Sequence, residues 1–137
     1  MLEKNWGRIL FISSESAVQI PAEMVHYGMT KTAQVAVARG IAESVAGTGV
    51  TVNSILAGPT SSEGVDTFVT GIAMQQNKSR AEVEKEFFQN IRPSSLLKRF
   101  ATPDEIAAMA VYLAGEPASA TNDAAVRADG GVIRAIL

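Results

Sequence analysis

The chain contains no cysteine, which excludes disulfides and thiol chemistry and is compatible with a cytoplasmic protein. It has a single histidine, and the two shortages together argue against a structural zinc site. No apolar run approaches the roughly 20 residues that span a bilayer, and the opening Met1-Leu2-Glu3-Lys4-Asn5-Trp6 does not read as a signal peptide. A strong excess of one charge is also missing. The formal net charge is −2 and there is no basic run, so electrostatics gives no reason to expect a nucleic acid or an anionic membrane as partner. There is no repeat and no low-complexity segment.

What remains is an ordinary globular composition. The 137 residues are 47% hydrophobic and 19% charged, the length and balance of one domain. Residues 8–13 form a continuous apolar run, as in a buried parallel strand, and end in Ser13-Ser14. A loop over residues 14–23 contains Pro21. A helix is expected from about Met24 to Ala46, with Gly47 placed to end it. Its small residues Ala33, Ala36 and Gly40 let another backbone approach, as in packing on the sheet. Val50–Leu56 is a second, β-branched strand, and it breaks into Ala57-Gly58-Pro59-Thr60-Ser61-Ser62 at the strand end where ligands of open α/β sheets bind.

Two short amphipathic helices follow. Val65, Phe68, Val69 and Ile72 share one face, which serves either as core or as a lid over a partly hydrophobic substrate. Ser79-x-x-Glu82 is a capping box, with Val83, Phe87 and Ile91 at helical spacing behind it and Pro93 as the stop. Phe88 is expected in the core. Thr102-Pro103-Asp104-Glu105 starts another helix, with Ile106, Met109, Ala110 and Leu113 on its buried face. A last strand is expected at Ala125–Ala128, before Asp129-Gly130-Gly131. The order β-α-β-α-α-α-β argues for α/β architecture with a parallel sheet.

The chemistry concentrates at Tyr27-Gly28-Met29-Thr30-Lys31. Tyr27 and Lys31 are one helical turn apart on one face. A free phenol, with a pKa near 10, is a poor proton donor or acceptor at neutral pH. A nearby ammonium favours the phenolate: at about 4 Å and an effective dielectric of about 20 the attraction is roughly 4 kcal/mol. Such pairs also occur on helices where the lysine stem only packs on the ring. His26 reads as a loop-to-helix residue facing solvent or a rim. Glu15 and Asp66 are in reach of polar substrate groups, with surface solvation as the default for both.

The whole constellation, an apolar strand, Ser-Ser, a loop with proline, then Tyr-x-x-x-Lys, resembles the short-chain dehydrogenase/reductase family. The likeness runs over nearly the whole chain: Trp6-Gly7-Arg8-Ile9 is similar to the entry of the family's fifth strand. Val52-Asn53-Ser54-Ile55-Leu56-Ala57-Gly58-Pro59 is similar to its sixth strand and nicotinamide loop, and Arg99–Ala107 with Asp129-Gly130-Gly131 to its C-terminal signature. The resemblance implies Tyr27 as general acid/base, Lys31 as the residue that favours the phenolate and holds the nicotinamide ribose, and Ser14, thirteen residues before Tyr27, as the serine that polarises the substrate oxygen. Ser13 is the lesser candidate. Gly58, Thr60 and Ser62 would line the nicotinamide end of NAD or NADP, whose choice is left open.

Ala57, Ser62 and Asp123 depart from the residues usual in the family; Asp123 stands where glycine is usual, and aspartate tolerates a left-handed conformation better than most residues, at a cost. No Gly-x-x-x-Gly-x-Gly occurs. The resemblance therefore implies one unit over residues 1–137: the C-terminal portion of a Rossmann-like doubly wound sheet, about three parallel strands with flanking helices, lacking the N-terminal nucleotide-binding half. Its expected reaction is hydride transfer between nicotinamide and a small carbonyl or secondary alcohol. With one strand edge unpaired, the chain is expected to join a copy of itself or an N-terminal half and to be inactive alone. The rival expectation is a non-catalytic module for assembly.

Overall fold

The computed structural model describes residues 1–136. Strands β1 (Gly7–Ser14), β2 (Val50–Ala57) and β3 (Ala125–Ala128) form one parallel sheet in the order β1-β2-β3. The helices are α1 (Val25–Ser44), α2 (Glu63–Gln76), α3 (Arg80–Glu86) and α4 (Pro103–Ala114). Helix α1 starts one residue later than expected, behind a 3-10 turn at Ala22–Met24. The loop before it contains a second such turn, Glu15–Ala17.

Alternation along the strands distributes the core over two faces. Ile9, Phe11 and Val52 pack against Ala38, Ala42 and Ile41 of α1 and Val45 just after it. Leu10, Ile55 and Val126 pack against Leu113, Ile106, Met109 and Ala110 of α4. Central β2 is buried from Val50 to Leu56, and Val52 and Ile55 are fully inaccessible to solvent. This is the doubly wound arrangement, with a helix layer on each face. Ala33, Ala36 and Gly40 do not contribute to it: all three are exposed, and a Cβ on Gly40 would meet nothing within 4 Å. Their packing on the sheet is thus corrected, because the sheet-facing stripe of α1 passes through Ala38 and Ala42.

A third cluster lies beyond the sheet. Val69 and Ala73 of α2, Val83 of α3, Phe88 and Phe100 form it, with Val65, Ile72 and Phe87 packed around them. The rings of Phe87, Phe88 and Phe100 lie about 5 Å apart. After α3 the chain makes a π-helical turn over Phe87–Ile91 where a plain helix was expected. Both capping boxes form, at Ser79 and at Thr102. Asp123 is left-handed (φ +57°), donates its N–H to the Val52 carbonyl at 2.8 Å and pairs its carboxylate with Arg39. Among the described residues β1 pairs on one side only, and near its end Ile12 stays 50% exposed.

Candidate active site

Strand β1 ends by turning two serines to opposite sides. The Ser13 hydroxyl donates to the Lys31 carbonyl on α1 at 2.9 Å, a structural tie. Ser14 lines a cavity of about 720 Å³ at the carboxyl ends of β1 and β2. Its Oγ accepts the Ser16 N–H at 3.1 Å and so caps the turn that follows. Helix α1 lies close over this turn because residue 28 is glycine: a Cβ there would sit 2.5 Å from Ile20 Cγ2 and 3.0 Å from the Ser16 carbonyl oxygen. The Thr32 hydroxyl donates to the Ala17 carbonyl at 2.8 Å and fixes the same contact. Tyr27, half-buried in the first turn of α1, thereby reaches the cavity.

The end of β2 supplies the opposite part of the floor. Gly58 is required by the backbone of Asp129, since an added Cβ would lie 2.5 Å from the Asp129 carbonyl oxygen. Thr60 donates its hydroxyl to the Gly58 carbonyl at 2.9 Å. Gly58, Pro59, Thr60 and Ser62 all line the cavity with Ser14 and Tyr27. The far wall is apolar, formed by Val65, Phe68, Val69, Ile72 and Phe87. Within that face the two alternatives divide: Val69 is core at 2% exposure, whereas Phe68 is 61% exposed at the rim.

Lys31 is beside Tyr27 but not in the cavity lining. Its Nζ stands 5.6 Å from the Tyr27 ring centroid, over the ring, and donates to the Ile12 carbonyl at 3.1 Å and to Gln34 Oε1 at 3.4 Å. Five of the six candidate residues therefore share one cavity, and the sixth adjoins it. His26 is exposed, as expected of a helix-entry residue.

Glu15 corrects the expectation of a solvated surface residue. It is 4% exposed, lines the cavity and is bonded to Arg92 Nε at 3.1 Å. The Arg92 side chain is itself only 11% exposed and reaches Glu23 at 3.4 Å. An ion pair so enclosed forms because each charge would otherwise be left buried alone. No sequence signal connects Glu15 to Arg92, which lies just beyond the π-helical turn. Asp66 is half-buried and pairs with Ser61 and Arg80 rather than facing the cavity. The Ser61 hydroxyl, and then Arg80, hold its carboxyl below the usual aspartate range. Among the described residues no cluster of His, Asp or Glu has the make-up of a metal site, and no helix is long and apolar enough to cross a membrane.

A three-stranded parallel sheet covered by helices on both faces, with its cavity at the carboxyl ends of the strands, defines a Rossmann-type α/β protein. The family model described as enoyl-(acyl carrier protein) reductase matches residues 1–133, and the chain belongs to the short-chain dehydrogenase/reductase family. It is 46% identical over 136 residues to the uncharacterized oxidoreductase YvrD of Bacillus subtilis and 42% identical over 136 residues to YvaG of the same organism, covering 99% of this chain and 52% of each relative. It is similar in structure, with a TM-score of 0.82 and 25% identity, to YwfH, an NADPH-dependent reductase involved in bacilysin biosynthesis, covering 98% of this chain and 50% of that one. The chain thus spans about half the length of the curated relatives it matches.

Proposed function

We propose that this chain is the catalytic portion of an NAD(P)-dependent oxidoreductase that moves hydride between nicotinamide and a small carbonyl or secondary alcohol. The observation that carries this is the shared cavity: Ser14 from the end of β1, Tyr27 from α1 and the Gly58–Ser62 loop from β2 all line it. Tyr27 acts as general acid/base on the substrate oxygen, and Ser14 meets the same oxygen. Lys31 supports negative charge on Tyr27 from beside the ring and reaches the ribose. The apolar far wall receives the remainder of the substrate.

The lining fits the nicotinamide end of the cofactor: a flat ring with a carboxamide needs apolar walls and a few hydroxyls, which Thr60 and Ser62 provide. Nicotinamide, when bound, supplies or accepts the hydride. No glycine-rich cradle for the pyrophosphate occurs in these 137 residues. We therefore assign that end of the cofactor to a nucleotide-binding half placed along the open edge of β1, an edge that a second copy could cover without supplying the cradle, and expect the chain alone to be inactive. Half-exposed Ile12 and the exposed Met29 and Val37 of α1 support such a contact.

Calorimetric titration with NADH and with NADPH tests this reading. The isolated chain should bind neither tightly, and adding a nucleotide-binding half should restore both binding and turnover. Binding without turnover in the restored assembly would favour the assembly module instead. A monodisperse, well-folded monomer by size-exclusion chromatography would count against the expected partner.

A further inference from the structure

Glu15 is a buried charge that the reaction described above does not use. Its carboxylate accepts four hydrogen bonds. Oε2 takes the Ser14 hydroxyl, the Ser16 N–H at 2.5 Å and the Ser16 hydroxyl at 2.8 Å, and Oε1 takes Arg92 Nε at 3.1 Å. A carboxylate facing a guanidinium only accepts, so the proton between Ser14 and Glu15 belongs to Ser14. A serine hydroxyl has one proton and two lone pairs. The proton goes to Glu15, and the single Ser16 N–H is shared between Glu15 Oε2 at 2.5 Å and a Ser14 lone pair at 3.1 Å. Ser14 thus offers the cavity lone-pair density and no proton.

We propose that Glu15, anchored by Arg92, is a positioning residue that presents Ser14 to the cavity as a hydrogen-bond acceptor. The site then takes a ligand O–H at Ser14 in preference to a carbonyl oxygen of the same shape. This rests on the catalytic reading and deepens it: of the two members of a carbonyl/alcohol couple, the resting site holds the alcohol. A carbonyl gains the Ser14 proton only by drawing it away from a carboxylate, at the loss of a charge-assisted bond. Arg92 follows the π-helical turn at the far wall, so the direction of the Ser14 hydroxyl is fixed from across the cavity.

The test uses the full chain labelled with nitrogen-15 and titrated with 2-octanol and with 2-octanone. The two probes share one carbon skeleton and differ in the one donor. The amides of Ser16, Tyr27 and Val69 report binding by NMR. The alcohol should bind about fivefold tighter, the value of one net hydrogen bond. In Glu15→Gln, whose side chain can donate to Ser14, the preference should vanish or reverse. Ser14→Ala should abolish it while both probes still bind. Equal binding of the two probes by the wild-type chain, or an unchanged preference in Ser14→Ala, overturns the role of Glu15 and leaves the catalytic reading standing. If neither probe shifts Tyr27 or Val69, the catalytic reading fails and this inference with it.

Discussion

On the floor of the cavity, the close contacts are made to main chain. Gly58 touches the main chain of Asp129, Gly28 admits the turn beneath α1, and Ser13 bonds the carbonyl of Lys31. Across the cavity, the wall made by α2, α3 and the π-helical turn relies on side chains: three phenylalanine rings, a few aliphatic residues, and ion pairs such as Lys78–Glu86 and Arg80–Asp66 at its surface. Backbone contacts tolerate no added atom, whereas side-chain packing can rearrange at constant volume. The difference separates two tasks. Under the proposed function, the floor holds the reacting groups in one geometry and the wall encloses the substrate.

Truncating the wall should have the largest effect on stability. Phe88→Ala removes a ring that is 2% exposed and should cost about 4 kcal/mol in denaturant unfolding. A loss under about 1 kcal/mol would mean that the wall collapses around the gap. The floor should respond to addition instead. Gly58→Ala places a methyl against the Asp129 backbone and should cost about 2 kcal/mol. Gly40→Ala, on the open face of α1, should stabilise the chain by about 0.5–1 kcal/mol through helix propensity. Similar effects at the two glycines would erase the distinction drawn for the floor.

The smallest effect lies at the start of α4, away from both regions. Arg99, then the Thr102 N–H, draws the Glu105 carboxyl from 4.5 down to about 2. A depressed carboxyl stabilises the fold above its unfolded pKa, and that contribution is lost as pH falls toward the folded value. Melting temperatures measured between pH 5 and about 2 should therefore fall more steeply for the native chain than for Glu105→Gln. Parallel curves would show that the capping box and the Arg99 pair add nothing.

The difference between floor and wall also separates what the sequence made legible from what it did not. Ser14, Tyr27 and Gly58 lie where strands and a helix begin or end, and local signals mark such places: serines closing an apolar run, a tyrosine and a lysine one turn apart, a Gly-Pro break. The capping boxes at Ser79 and Thr102 are equally local, and both form. Glu15 and Arg92 are far apart in the chain, and nothing local distinguishes a glutamate that will be buried from one that stays wet. The exposure of Ala33, Ala36 and Gly40 was hidden for a related reason. Small residues mark close approach on a helix, but the face they occupy relative to the sheet is set by the larger residues around them.

Tyr27 is the proposed proton-transferring group. The most direct measurement is the rate of nicotinamide oxidation, with a carbonyl substrate, by an assembly of this chain with a nucleotide-binding half, comparing the native chain with Tyr27→Phe. Loss of one hydroxyl from a half-buried ring should leave folding and cofactor binding intact and lower the rate by about a thousandfold, the scale of general acid–base catalysis. Equal rates for the two assemblies would contradict the account.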